Sequence, residues 1–212
     1  MEPGPEPTAR HRPGAAARAR LDPPGRVLRD GVWWLVGTAA EVEWIHAGTT
    51  PGLSITAAIP PIFSAYATVV VPDGAEERAA HARALLAVLS DQSAGEPWWL
   101  GYLETGAADV VFPQVPRISL YARWPYVLVQ AGPAQAATWR SGEWPSPRCA
   151  LPDLMFPRDR TWLVSTLWDD DWTCLGGPSA LVERVLHHPA LRTRARQVDV
   201  GGDATPPGHR TI

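Results

Sequence analysis

The 212-residue chain contains no lysine and no asparagine. All 19 of its basic side chains are therefore arginine, a permanently protonated group that cannot serve as a nucleophilic amine. This excludes a P-loop lysine on the β/γ-phosphates, a kinase-type strand lysine and any Schiff-base mechanism. Without Asn there is no N-glycosylation acceptor and no Cys/His/Asn triad. Cysteine is scarce: Cys149 and Cys174 make no disulfide framework, and a cytoplasmic location with both thiols reduced is the expectation. Long apolar runs are missing too. Tyr66–Val71 and Tyr126–Val129 fall far below the roughly 18 residues a spanning helix needs, and the first residues lack the apolar stretch of a signal peptide, so no membrane partner is expected. The chain has no GxSxG elbow, GxGxxG fingerprint, HExxH helix, paired CxxC or Gly-Lys-Ser/Thr loop. Folding can still assemble a triad from distant residues, so these absences weaken an enzyme reading without removing it.

What is abundant is Trp, with 11 residues, alongside 23 Pro and 18 Gly. Ala, Arg, Gly, Pro and Trp have G/C-rich codons whereas Lys and Asn have A-rich ones, so codon usage accounts for the bias. A hydrophobic fraction of 45% with 19% charged residues suits one globular domain with a sizeable core. Charge is unevenly placed. Residues 1–26 hold five Arg against three acids and residues 192–212 four against two, which leaves −7 of the net −3 on residues 27–191. Both ends are poor in large aliphatics, and they read as tails too polar to offset the entropy of ordering. An acidic domain between basic tails argues against nucleic acid as the main partner, because phosphate binding needs a dense positive surface on the folded part.

Residues 27–191 read as a single α+β domain with a mostly antiparallel sheet and two or three helices. Strands are expected at Val32–Val36, Val42–Ile45, Ala65–Val71, Trp98–Leu103, Asp109–Phe112, Arg117–Ala122 and Tyr126–Gln130. Ala79, Ala82, Leu85, Leu86 and Leu89 recur at helical spacing within a helix from about Gly74 to Ser90, and Pro133–Arg140 reads as a short helix. After a Pro-rich loop at Trp144–Pro152 comes the most patterned unit. Thr161–Trp168 and Trp172–Leu175 form a hairpin around Asp169–Asp171, Gly176-Gly177 ends it, and a helix Ser179–His188 stops at Pro189.

The stretch Leu154-Met155-Phe156-Pro157-Arg158-Asp159-Arg160, then Trp172-Thr173-Cys174-Leu175-Gly176-Gly177, then a helix ending in His188-Pro189-Ala190-Leu191, resembles a group of uncharacterised actinobacterial proteins. The segment Ile59–Ala67 is similar to their lead into a buried strand. The likeness covers roughly residues 50–72 and 154–192 and implies neither an activity nor a functional residue.

The candidate chemistry is sparse. Three consecutive carboxylates, Asp169, Asp170 and Asp171, diverge in a tight turn rather than converge on a cation, so no metal site is expected there. His187 and His188 point about 100° apart on a helix and cannot readily share a metal. His46, in the loop Trp-Ile-His-Ala-Gly-Thr-Thr-Pro-Gly, and Cys149, beside Arg148, are the weak catalytic candidates, with Glu41, Glu43 or Asp109 as an acidic neighbour. Cys174, inside a strand, reads as a small core group. In the adjacent pairs Trp33-Trp34 and Trp98-Trp99, strand alternation should turn one indole of each outward. With Trp168 and Trp172 flanking the acidic turn, these make an aromatic, acidic surface suited to an Arg-rich partner or a cationic ligand. The leading expectation is a cytoplasmic, non-catalytic protein-binding domain, by analogy with immunity-type or accessory proteins of bacterial gene clusters. The alternatives are a small hydrolase or transferase using His46 or Cys149, and a small-molecule-binding domain with a Trp-lined pocket. No cofactor is implied.

Overall fold

A computed structural model of the chain describes residues 25–93, 95–104, 111–140, 151–168 and 170–210. The expected turn after Leu103, Asp109 in its strand, Cys149, Asp169 and residues 1–24 of the N-terminal tail lie outside the described residues. The fold is α+β, built on one large sheet. Its strands are β1 (Arg26–Arg29), β2 (Val32–Val36), β3 (Ala65–Val70), β4 (Trp98–Leu103), β5 (Ile118–Leu120), β6 (Trp124–Ala131), β7 (Leu154–Pro157), β8 (Leu163–Ser165), β9 (Trp172–Gly177) and β10 (Ala195–Val198). They lie in the order β1-β2-β6-β4-β7-β8-β9-β3-β10, and every pairing is antiparallel. β4 pairs with one edge of β6 from Tyr126 to Ala131; β2 and β5 share the other edge, β2 near Val129 and β5 near Tyr126.

Helices α1 (Ala39–Gly48), α2 (Ala75–Gln92), α3 (Pro133–Thr138) and α4 (Ser179–His187) cover the sheet. On one face Leu85 and Leu89 of α2, Ala136 of α3 and Val182 of α4 pack against Ala67, Val69, Trp98, Leu100, Val127 and Leu175. On the other, Val42 and Ile45 of α1 and the short turn of helix at Ile55–Ala57 pack against Tyr66, Trp99, Tyr126, Leu128, Leu154 and Phe156. With both faces covered, the central strands have no solvent side, and β4 and β9 are buried at every position. The one-face-wet alternation expected of an antiparallel sheet is therefore confined to edge strands such as β1 and β5.

Three expectations need correction. Val42–Ile45 is helix, not strand: Thr38 caps α1, its hydroxyl accepting from the Ala40 N–H while the Glu41 carboxylate accepts from the Thr38 N–H at 2.6 Å. The run Thr-Ala-Ala-Glu is a capping box, and it outweighs the β preference of Val, Trp and Ile. Gly176-Gly177 does not end β9 but continues it, pairing with Ala65 and Tyr66 of β3. A Cβ on Gly176 would lie 2.5 Å from Ile59 Cγ2 and Phe63 Cδ2, so glycine is required by the close approach of the 59–63 segment rather than by a turn. Finally, residues 192–212 are not wholly a tail. β10 pairs with the outer edge of β3 and buries Val198, and Arg196 donates to the carbonyls of Asp203 and Thr205.

Candidate functional site

The residues singled out in the sequence are scattered by the fold. Trp98 and Trp99 do alternate, but each ends in a core, one on either side of the sheet. Trp172 is likewise buried, so none of the three presents a surface. Trp34 is half-buried against Trp139, edge to face at 5.1 Å. Trp33 and Trp168 remain exposed, at 37% and 38%. The acidic turn is partly spent: His209 Nδ1 donates to both carboxylate oxygens of Asp171 at 2.7 and 2.8 Å. Among the described residues no three His, Cys, Asp or Glu side chains converge as metal ligands would. Cys174 is a free, buried thiol, and burial together with the nearby Asp170 charge pushes its pKa well above the usual thiol range, which makes it a poor nucleophile. Cys149 and Asp169 lie outside the described residues.

His46 is different. It stands exposed at the end of α1 on the rim of a cavity of about 330 Å³. Three segments build this cavity. The first is the end of α1 with the loop after it, contributing His46, Thr49, Thr50 and Pro51. The second is the β5–β6 turn, contributing Tyr121 and Trp124, and the third is the β8–β9 connection, contributing Leu167. The exposed Trp168 meets Trp124 edge to face at 5.9 Å, extending the aromatic wall.

The β5–β6 turn carries backbone strain. Tyr121 and Arg123 both have positive φ, 54° and 66°, a region that non-glycine residues seldom occupy. Such conformations persist only where the surroundings over-determine them. Here the Tyr121 hydroxyl donates to the Ala58 carbonyl at 3.0 Å and accepts from Ser165 Oγ at 2.7 Å, and its ring packs on Tyr126 and Trp124. Burial keeps this phenol protonated, its pKa held well above the usual range. The turn thus pins an aromatic wall across from the Thr49-Thr50 loop.

The sequence marked this loop through His46 but missed Tyr121, Trp124 and Leu167. The expected strands Arg117–Ala122 and Tyr126–Gln130 leave Arg123-Trp124-Pro125 between them, whereas β6 already begins at Trp124. The signal was a bulky aromatic where a tight turn ordinarily carries Gly, Asn or Asp.

No family model, no curated protein and no solved structure matches the chain. Among the described residues, no helix is long and apolar enough to cross a membrane.

Proposed function

We propose that this is a small-molecule-binding domain whose site is the aromatic cavity beside His46. The observation that carries the reading is the cavity itself: about 330 Å³, walled largely by carbon and aromatic rings, with a few polar groups at one end. Binding sites for small ligands are of that kind, roughly 300 to 1,000 Å³ and mostly apolar with a few placed polar groups. A catalytic reading has less support. Among the described residues His46 has no acidic hydrogen-bond partner, because the Glu41 carboxylate is held by Thr38 at the other end of α1. The test is a metabolite library screened by ligand-observed NMR against the full chain and a Trp124→Phe variant. Binders whose signal the variant weakens support the site. A library with no binder, or binders indifferent to Trp124, would sink it.

A second reading, an immunity-type or accessory protein-binding domain, is favoured by one observation. The edge hairpin β1–β2 leaves Leu28, Trp33 and Leu35 exposed on one face. Clustered exposed apolar side chains mark interaction surfaces. An Arg-rich partner at the acidic turn would first have to displace His209 from Asp171. If the hairpin is the docking face, Trp33→Ser abolishes capture of a specific host protein while Trp124→Phe does not. We place the chain in the cytoplasm, where a free thiol such as Cys174 stays reduced. The resemblance of residues 50–72 and 154–192 to the actinobacterial group adds no activity to either reading.

A further inference from the structure

We infer that Tyr121 is the positioning residue of the cavity beside His46, and that the β5–β6 turn gives up stability to hold it there. This rests on the cavity being the binding site. Among the described residues four that are not glycine have positive φ: Asp30, Tyr121, Arg123 and Arg160. Two of them have a local reason. Asp30 precedes Gly31 in the β1–β2 turn and is of a residue type that tolerates the left-handed region. Arg160 lays its guanidinium over the Trp44 ring at 5.5 Å. The other two share one turn of three residues, Tyr121 to Arg123, closed by the pairing of Leu120 with Trp124. A three-residue hairpin loop ordinarily places one residue in the left-handed region, and this loop places two, neither of them glycine. Arg123 gains nothing from it: its side chain is exposed and makes no hydrogen bond or ion pair among the described residues. The constraint lies on either side of Arg123. Tyr121 is held from two distant segments, by the Ala58 carbonyl at 3.0 Å and Ser165 Oγ at 2.7 Å, while Trp124 is fixed by its place in β6. Tyr121, Ala122 and Trp124 all line the cavity. Closing the loop between two fixed rings puts Arg123 in the left-handed region. Such strain persists where the surroundings over-determine it, and it collects at ligand sites. A turn free of that demand would carry glycine at 123, which takes a positive φ without steric cost. The Tyr121 hydroxyl thus acts through the rings it sets, Tyr121 against Trp124 at 6.4 Å and Trp124 against Trp168 at 5.9 Å.

The probe is N-phenyl-1-naphthylamine, a neutral dye whose emission rises in apolar surroundings, titrated into the full chain. Arg123→Gly removes no side-chain bond and relieves the backbone by more than the entropy glycine adds to the unfolded chain, so it should raise the urea midpoint. It should at the same time weaken dye binding roughly 2- to 10-fold, the range of one aromatic contact. Tyr121→Phe should lower both midpoint and affinity. Adding Ser165→Ala removes the buried hydroxyl left without its partner, and should restore much of the midpoint but not the affinity. Affinity that is unchanged or higher in Arg123→Gly, or that returns with Ser165→Ala, makes Tyr121 a structural residue only and overturns the positioning role while leaving the cavity as a binding site. A midpoint lowered by Arg123→Gly overturns the stability the turn is said to give up. Dye that does not bind, or that binds a Trp124→Phe variant equally well, counts against the cavity itself, and the role of Tyr121 falls with it.

Discussion

Single residues in this chain carry liabilities that the fold has to contain. His81 of α2 is 3% exposed, and neither ring nitrogen has a hydrogen-bond partner. It faces a void of about 10 Å³, room for one water, beside Thr166 and Thr173, whose hydroxyls bond each other at 3.0 Å. Burial, reinforced by the Arg194 charge, pushes its pKa down from 6.5 to about 4. The unfolded chain takes up a proton near 6.5 whereas the folded one resists until about 4, so below 6.5 the unfolded state binds more protons. Stability is therefore present above this window and is lost as pH falls through it, by about 3 kcal/mol at the lower end. Urea unfolding across that range should show the slope, and His81→Leu should flatten it. An unchanged slope in the variant would assign the acid sensitivity to other groups. The apolar spacing Ala79, Ala82, Leu85 and Leu86 was enough to locate this helix from sequence. It gave no sign that a histidine would lie within the buried face, because periodicity records where apolar residues fall and is blind to a polar one the core tolerates.

At the scale of elements, what could be read depended on how locally each was specified. β3, β4, β6 and the α2 and α4 helices were legible because runs of β-branched and aromatic residues, or a clear helical spacing, agree with where they pack. Gly176 and Gly177 were misread because their requirement is tertiary: Ile59 and Phe63 lie over Gly176, and Leu181 and Trp162 over Gly177. Trp99 and Trp172 were misassigned to a surface for a related reason, since nothing local announces that α1 and the 55–59 segment will cover that face. The pocket was half legible: His46 and its loop stood out, while Tyr121 and Trp124 came from a turn 75 or more residues later in the chain. α1 is the element on which site and fold meet, because its capping box fixes one end while His46 stands at the other. Thr38→Ala removes a side-chain cap and should cost about 1 kcal/mol, with Thr38→Ser recovering most of it. Amide exchange should localise the loss to the first turn of α1. If exchange instead rises uniformly across the sheet, the box is not what sets this helix.

For the whole molecule, the segment after β10 closes the structure in a way that charge counting hid. Four basic residues against two acidic ones suggested a solvated end, yet the backbone there is spoken for. Ile55 N–H donates to the Gly202 carbonyl and Ala204 N–H to the Leu53 carbonyl, and Ala204 and Pro206 are buried. Further on, His209 reaches Asp171 and lies edge-on to Trp172 at 6.2 Å. The segment therefore ties the loop that carries Leu53 and Ile55, just past Thr50 and Pro51 of the cavity, to the turn that follows Leu167. Two kinds of tether are involved, and they differ in strength. The Asp171 side chain is 59% exposed, so its pair with His209 is a solvent-screened contact worth at most about 1 kcal/mol and weakened by salt. The buried backbone bonds and the apolar cover over Ile55 and Val198 are not screened, and their loss uncovers core. His209→Ala should accordingly shift the urea midpoint slightly, and the shift should shrink further in high salt. Deleting residues 199–212 should cost several kcal/mol, about 2 to 5, and weaken any ligand of the cavity because the loop behind it loses its support. A deletion no more harmful than His209→Ala would mean that the loop at residues 53–57 holds its shape alone, and that the ion pair rather than the buried strap joins the two sides of the cavity.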